Sequence, residues 1–212
     1  MLTIREMLPE DAEATGYVHY TSWLESYSGL VDSDFLSRTS PERSREMTLC
    51  CWDRTLVAQL DGEIVGFCCY GMNQSGRPEI FGLYLLKKAQ GLGIGRNLLD
   101  AAVQKLPPEG PVYLWVLEGN SHAIGFYEQY CFRLNGIRQE ITLGTPNAEL
   151  RMILERPEPL EESECLSSHF RSAANWSLIG CAAKYLSLRT SPQTGVAIPR
   201  LEGKRTKNGQ TP

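Results

Sequence analysis

The stretch Gln90-Gly91-Leu92-Gly93-Ile94-Gly95-Arg96 decides the reading of this chain, because of what flanks it. Upstream, Glu79-Ile80-Phe81-Gly82-Leu83-Tyr84-Leu85-Leu86 is a strand-length run of β-branched, aromatic and leucine side chains. Downstream, Leu98, Leu99, Ala102, Val103 and Leu106 recur at helical spacing between Asn97 and Leu106. A strand that turns through glycines into a helix aims several unpaired backbone N–H groups at one point, and the positive end of the helix dipole adds to their field. Such a turn is a pyrophosphate cradle, which glycines let a ligand approach with no Cβ in the way. A Walker A loop would close with Gly-Lys-Ser/Thr, but Gly95 is followed by Arg96-Asn97. A dinucleotide fingerprint needs a third glycine three residues after the second, and those positions hold Arg96 or Leu98.

A second segment narrows the reading. After the strand-like run Val112 to Leu117 comes Asn120-Ser121-His122-Ala123-Ile124-Gly125-Phe126-Tyr127-Glu128, followed by Tyr130-Cys131-Phe132. The Gln-x-x-Gly-x-Gly loop resembles motif A, the acyl-coenzyme A loop of the GNAT superfamily of N-acetyltransferases. The later segment resembles that family's motif B, Asn-x-x-Ala-x-x-Phe-Tyr-Glu-x-x-Gly-Phe. Cys131 departs from the pattern, standing where the family usually has a glycine that takes positive φ at a helix C-cap. Two motifs in the family's order, some thirty residues apart, are far harder to meet by chance than either alone.

Around these motifs, strands are expected over 2–6, 54–60, 64–70, 79–86, 111–117, 132–143 and 148–154. Helices are expected over about 10–27, 31–36, 42–51, 97–106 and 121–130. Asp61-Gly62 is a hairpin signal, Pro107-Pro108 stops a helix, and Asn135-Gly136 and Pro146-Asn147 punctuate the last strand pair. This order is similar to the GNAT fold, an α/β (α+β) arrangement with a mixed, mostly antiparallel sheet of about seven strands flanked by helices. It accounts for a domain over residues 1–156. Residues 157–212 form a C-terminal extension that opens on the acidic, proline-bearing Pro157-Glu158-Pro159-Leu160-Glu161-Glu162. A helix over 168–188 is expected there, the remainder having the composition of a disordered segment.

Composition excludes several function classes. The net charge of −4 leaves no basic stripe for nucleic acid, and no apolar run is long enough for a bilayer. No secretory signal pattern opens the chain. Seven cysteines, two adjacent pairs among them, show no Cys-x-x-Cys or histidine spacing for a metal, so free thiols in a reducing cytoplasm are expected.

The resemblance implies acetyl-CoA as cosubstrate and a small-molecule or peptide primary amine as acceptor, joined by direct attack in a ternary complex. Homodimers are common in the family. Gln90, Gly91, Leu92, Gly93, Ile94, Gly95 and Arg96 would hold the pyrophosphate, while backbone groups of Leu83, Tyr84 and Leu85 would line the pantetheine, Leu85 N–H serving as oxyanion donor. Tyr127 would protonate the departing thiolate, against the plainer reading of a packed helical aromatic. Asn120 would bind pantetheine or cap its helix. Glu79 stands where the histone-acetylating branch carries its general base, and strand alternation places it on one face with Phe81, Leu83 and Leu85 unless a bulge intervenes. A solvated glutamate with a chain of waters as base is the alternative. His19, Trp23 and Tyr27 fall at i, i+4 and i+8 of the first helix, as an acceptor-site wall (Trp23, Tyr27) or as core packing. A non-catalytic acyl-CoA sensor is the competing reading of the whole chain.

Overall fold

The computed structural model describes residues 1–156. The readings placed on 157–212, including the helix over 168–188, lie outside the described residues. The chain opens with β1 (Leu2–Glu6) and three helices, α1 (Ala12–Tyr27), the single turn α2 (Ser33–Leu36) and α3 (Pro41–Leu49). Next come β2 (Thr55–Leu60), β3 (Glu63–Met72), β4 (Pro78–Leu85) and α4 (Ile94–Lys105). The last elements are β5 (Val112–Leu117), α5 (Ser121–Gln129), β6 (Arg133–Leu143) and β7 (Thr145–Leu154). The seven strands form one sheet in the order β1-β2-β3-β4-β5-β7-β6. Every neighbouring pair is antiparallel except β4 and β5, whose parallel alignment makes the sheet mixed.

Local chemistry explains most element boundaries. Pro41 sits in the first turn of α3, and the Ser40 side chain accepts from Arg43 N–H, a proline-plus-cap start. Asp61 and Gly62 turn β2 into β3 with φ of 50° and 92°, the double positive φ of a type I′ hairpin turn. Two boundaries differ from expectation. Asn135-Gly136, inside the expected strand, marks a register shift of β6, where the Asn135 carboxamide accepts from Ile137 N–H. The chain reverses at Gly144, and β7 begins at Thr145, three residues early, so Pro146-Asn147 lies within it. The helix after the glycine loop begins at Ile94, three residues early, because Gly95 enters its first turn despite its poor helix propensity.

The core lies on both faces of β2–β4. On one face the buried side of α1 (Thr15, Val18, His19, Ser22, Trp23) meets β3 and β4, and the His19 ring lies edge-on to Tyr84 at 4.9 Å. On the other, Leu85 meets Leu98 of α4 over Gly66. Adjacent strand residues point to opposite faces, so Tyr84 and Leu85 fix α1 and α4 on opposite sides of the sheet. Helix α1 crosses α3 at Gly16, where an added Cβ would stand 2.7 Å from the Arg45 Cα and N.

Candidate active site

The parallel ladder between β4 and β5 is two pairs long, Glu79 with Tyr113 and Ile80 with Leu114. Beyond it β4 continues to Leu85 and β5 to Leu117 without pairing to each other, so the sheet opens. Leu86 N–H donates to Val65 O at 2.9 Å, toward β3. Backbone groups alternate between the two edges of a strand, so the amides of Leu85 and Leu83 face the open side. Tyr84 departs from its expected role: its backbone faces β3, and its ring is buried between His19 and Phe67. Leu83 and Leu85 therefore supply the free edge.

That edge runs into the glycine loop through a 3-10 turn, Lys87–Ala89. Gln90 closes the passage, its Nε2 donating to Leu85 O at 3.3 Å. Gly91 and Gly93 both adopt φ of 76°, a left-handed conformation that costs glycine nothing. Gly93 is the N-cap of α4 and brings no side chain to it. The first bond into the helix is Asn97 N–H to Gly93 O at 3.1 Å, so the amides of Ile94, Gly95 and Arg96 precede the ladder and lead the dipole. Leu92 projects outward while Ile94 is buried. The Arg96 guanidinium lies 5.2 Å from the Tyr130 ring centroid, with its Nε 3.7 Å from Asp100. Tyr130 Oη in turn donates to Asp100 at 2.6 Å, a contact that joins α4 to the end of α5.

Glu79 is buried, and Asn73 Nδ2 donates to its Oε2 at 2.8 Å. Phe81 is an extra residue in β4: Cys69 pairs with Gly82 and Tyr70 with Ile80. This bulge overturns the simple alternation. Counted along unbroken β3, Phe67 and Gly71 share a face, so their partners Tyr84 and Glu79 do too. Glu79 thus lies on the α1 face, opposite Leu85. The same registers carry that face outward through Tyr113, Trp115 and Leu117 of β5 and Ile153, Arg151 and Glu149 of β7. The Arg77 and Arg151 guanidiniums lie 5.5 and 5.3 Å from the Tyr113 ring centroid.

Across the opening, α5 follows β5. Asn120 is its N-cap, Oδ1 accepting from Ala123 N–H at 3.1 Å, which leaves Nδ2 as the end able to donate to a ligand. Tyr127 is fully buried, its ring edge-on to Phe126 and Phe132. Cys131 holds the glycine position of the C-cap with φ of 80°. Phe132 N–H reaches Tyr127 O at 2.9 Å and Cys131 N–H reaches Glu128 O at 3.0 Å, the two bonds of a Schellman motif. The cysteine accepts the left-handed backbone that glycine usually takes.

Trp23 and Tyr27 are 2% and 5% exposed and pack on each other at 4.7 Å. Neither ring is open to a bound amine in this structure, because the two cover each other and Phe35 of α2 lies 6.2 Å from Trp23. Burial, with the Glu149 carboxylate nearby, pushes the Tyr27 phenol up. Glu149 is itself buried and accepts from Gln139 Nε2 at 2.6 Å. His19 Nδ1 lies 3.0 Å from Ser44 Oγ, and burial pushes the ring down to about 4. Asn73 and Glu149 were not singled out by sequence. The Asn73-Gln74-Ser75-Gly76 turn signal was readable, but its link to Glu79 depends on hairpin geometry.

No helix among the described residues is long and apolar enough to cross a membrane. The acetyltransferase (GNAT) family matches residues 15–131. The uncharacterized N-acetyltransferase YuaI of Bacillus subtilis is 30% identical over 178 residues, covering 74% of this chain and all of that protein. The spermine/spermidine N(1)-acetyltransferase of the same organism is 30% identical over 97 residues, 41% of this chain and 64% of that protein. The PaiA N-acetyltransferase of Thermoplasma acidophilum, crystallised with coenzyme A, superposes with a TM-score of 0.59 at 22% identity, covering 73% of this chain and 99% of that one. Motifs, sheet topology and these likenesses agree, and the chain belongs to the GNAT acetyltransferase family.

Proposed function

We propose that the protein transfers the acetyl group of acetyl-CoA to a primary amine by direct attack in a ternary complex. The observation that carries this reading is the unpaired β4 edge, which ends in a side-chain-free helix start. The amides of Gly91 to Arg96 suit a pyrophosphate, and the Leu83 and Leu85 edge suits an extended pantetheine adding to the sheet. Asn120 Nδ2 offers a further donor. Coenzyme A in the Thermoplasma relative supports the same cosubstrate.

Glu79 accepts a proton from the acceptor ammonium, and the freed amine nitrogen attacks the thioester carbonyl. Negative charge then develops on the carbonyl oxygen, where Leu85 N–H stabilises it. As the C–S bond breaks, Tyr127 gives its proton to the thiolate, and the nitrogen's second proton restores Tyr127 to leave an amide, while Glu79 releases the first to solvent. The balance is one acetamide, one CoA thiol and one released proton.

Polyamines head the acceptor classes, on the likeness to the spermine/spermidine enzyme. The α1 face suits a long cation laid in one direction. Arg77 and Arg151 flank Tyr113 beside Glu79 and repel a second cation there, while buried Glu149 at the Tyr27 end attracts one. Trp23 and Tyr27 then act from behind, supporting that wall rather than touching the acceptor.

Calorimetry of acetyl-CoA binding, followed by thiol release against polyamines, aminoglycosides, amino acids and short peptides, tests the reading. Tyr127→Phe should lower kcat by about 10²–10⁴-fold, the usual worth of a general acid, with acetyl-CoA affinity retained. Unchanged turnover would remove Tyr127 as the acid. Binding without amine-dependent release across the panel would favour a sensor, and a folded sample that does not bind acetyl-CoA would overturn the proposal.

A further inference from the structure

The turn between β3 and β4 is built around one side chain. Asn73 Oδ1 accepts from Ser75 N–H at 2.9 Å and from Arg77 N–H at 3.1 Å. Its backbone closes the same loop: Asn73 N–H donates to Arg77 O, and Gly76 N–H to Asn73 O, both at 2.9 Å. With Oδ1 committed to the turn, the orientation of the carboxamide is fixed, and Nδ2 has one direction left. It points at Glu79 Oε2, 2.8 Å away. A surface turn needs only the acceptor half of an asparagine, and aspartate would serve equally well. The donor half does nothing for the turn.

We propose that Asn73 is a positioning residue for the reaction: its carboxamide, locked by the β3–β4 turn, holds the Glu79 carboxylate in one rotamer facing the acceptor amine. This inference rests on Glu79 acting as the base. The grip matters because the partner of Glu79 on β3 is Gly71, which brings no side chain to flank the carboxylate. A carboxylate that must meet an amine within hydrogen-bond reach gains from having its unproductive rotamers removed. The Nδ2 donor leaves Oε1 to work while it holds Oε2. The other groups facing this carboxylate are the registered partners Gly71 on β3 and Tyr113 on β5, with Arg77 and Arg151 packed on the Tyr113 ring and Arg54 5.9 Å from the Phe81 ring centroid. Asn73 is the group of this set that donates to the carboxylate, at 2.8 Å.

Asn73→Asp tests this, since it keeps both acceptor bonds of the turn and exchanges only the donor for a second carboxylate. Like charges at that distance oppose ionisation of the pair. The acidic limb of the kcat/KM profile for the amine should therefore move up by about one pH unit, while loss of the Nδ2 grip lowers kcat at neutral pH by about tenfold with acetyl-CoA affinity unchanged. Asn73→Ala should lower kcat without that displacement of the limb, and its melting temperature shows separately what the turn is worth. A profile for Asn73→Asp that overlays the parent would overturn the inference, leaving Asn73 a turn residue only. Glu79→Gln separates the two levels: if it retains full activity the base assignment fails, whatever Asn73 does.

Discussion

Moving from pH 7 to pH 5 should cost the folded protein about 2 kcal/mol at His19 alone. The ring is 3% exposed, its Nδ1 meets Ser44 Oγ at 3.0 Å, and aromatic rings of Phe67 and Tyr84 surround it. Burial lowers its pKa from 6.5 to about 4, so between those values the unfolded chain binds a proton that the folded chain refuses. Stability therefore rises with pH across that window and falls on acidification. At pH 5 about 97% of unfolded chains carry the proton against about 9% of folded ones, which integrates to about 2 kcal/mol, while at pH 7 the penalty is about 0.2 kcal/mol. The carboxylates of Asp11, Glu6 and Glu118 are held low by Arg5, Lys105 and Arg138, so their contributions are lost only further down, below about pH 4.5. Urea unfolding at 25 °C reads the effect directly. With a slope of about 2 kcal/mol per molar urea, the midpoint should drop by about 1 M between pH 7 and pH 5. His19→Asn places an amide near the Nδ1 position and cannot titrate. Whatever its absolute stability, it should flatten the dependence between pH 5 and 7, and an unchanged slope in that variant would refute the assignment to His19.

Two further substitutions test the backbone. Cys131→Gly relieves a left-handed cysteine, about 1–2 kcal/mol, against about 0.4–1 kcal/mol of extra unfolded-state entropy for glycine. A gain of up to about 1 kcal/mol and a Tm higher by about 2–4 °C are expected by calorimetry; a fall in Tm would mean the thiol makes contacts worth more than the strain. Gly16→Ala sets propensity against packing. Helix propensity alone predicts a gain of about 1 kcal/mol, but the new Cβ would stand 2.7 Å from the Arg45 backbone, so a loss of about 1–3 kcal/mol is expected in urea titrations.

The parts of the fold set by local rules could be read from the chain. Gly91 and Gly93 announced a helix start because only glycine takes their φ of 76° cheaply, and Asp61-Gly62 announced a hairpin for the same reason. What escaped depends on pairing between distant segments. The bulge at Phe81 has no residue signature of its own; it exists because β3 and β4 are out of step by one residue, and that single step moves Glu79 to the opposite face from Leu85. Asn135-Gly136 was legible as a break, but only the pairing with β7 shows that the positive φ at Gly136 makes a register shift inside β6 while the reversal falls at Gly144. The α1 stripe of Trp23 and Tyr27 was correctly placed on one helix face, but periodicity cannot say whether such a face meets a ligand or a sheet. Here the two rings meet each other and Phe35 of α2.

The two-pair seam between β4 and β5 has a mechanical meaning. Across it the domain is nearly two half-sheets, four strands on one side and three on the other, stitched by few backbone bonds. Each such bond is worth about 1 kcal/mol net, so the join resists opening far less than any full-length ladder beside it. A molecule bonded to both lips would act as thread through that seam. At a hundredfold excess over its Kd it would raise the unfolding free energy by about 2.7 kcal/mol. Amide exchange should report this first at Leu83 and Leu85, with protection spreading to β5 only when the gap is filled. With the cosubstrate as that thread, as proposed above, each turnover would remove and replace a structural member of the sheet, and starving the enzyme of it would loosen the protein along this line before slowing the chemistry.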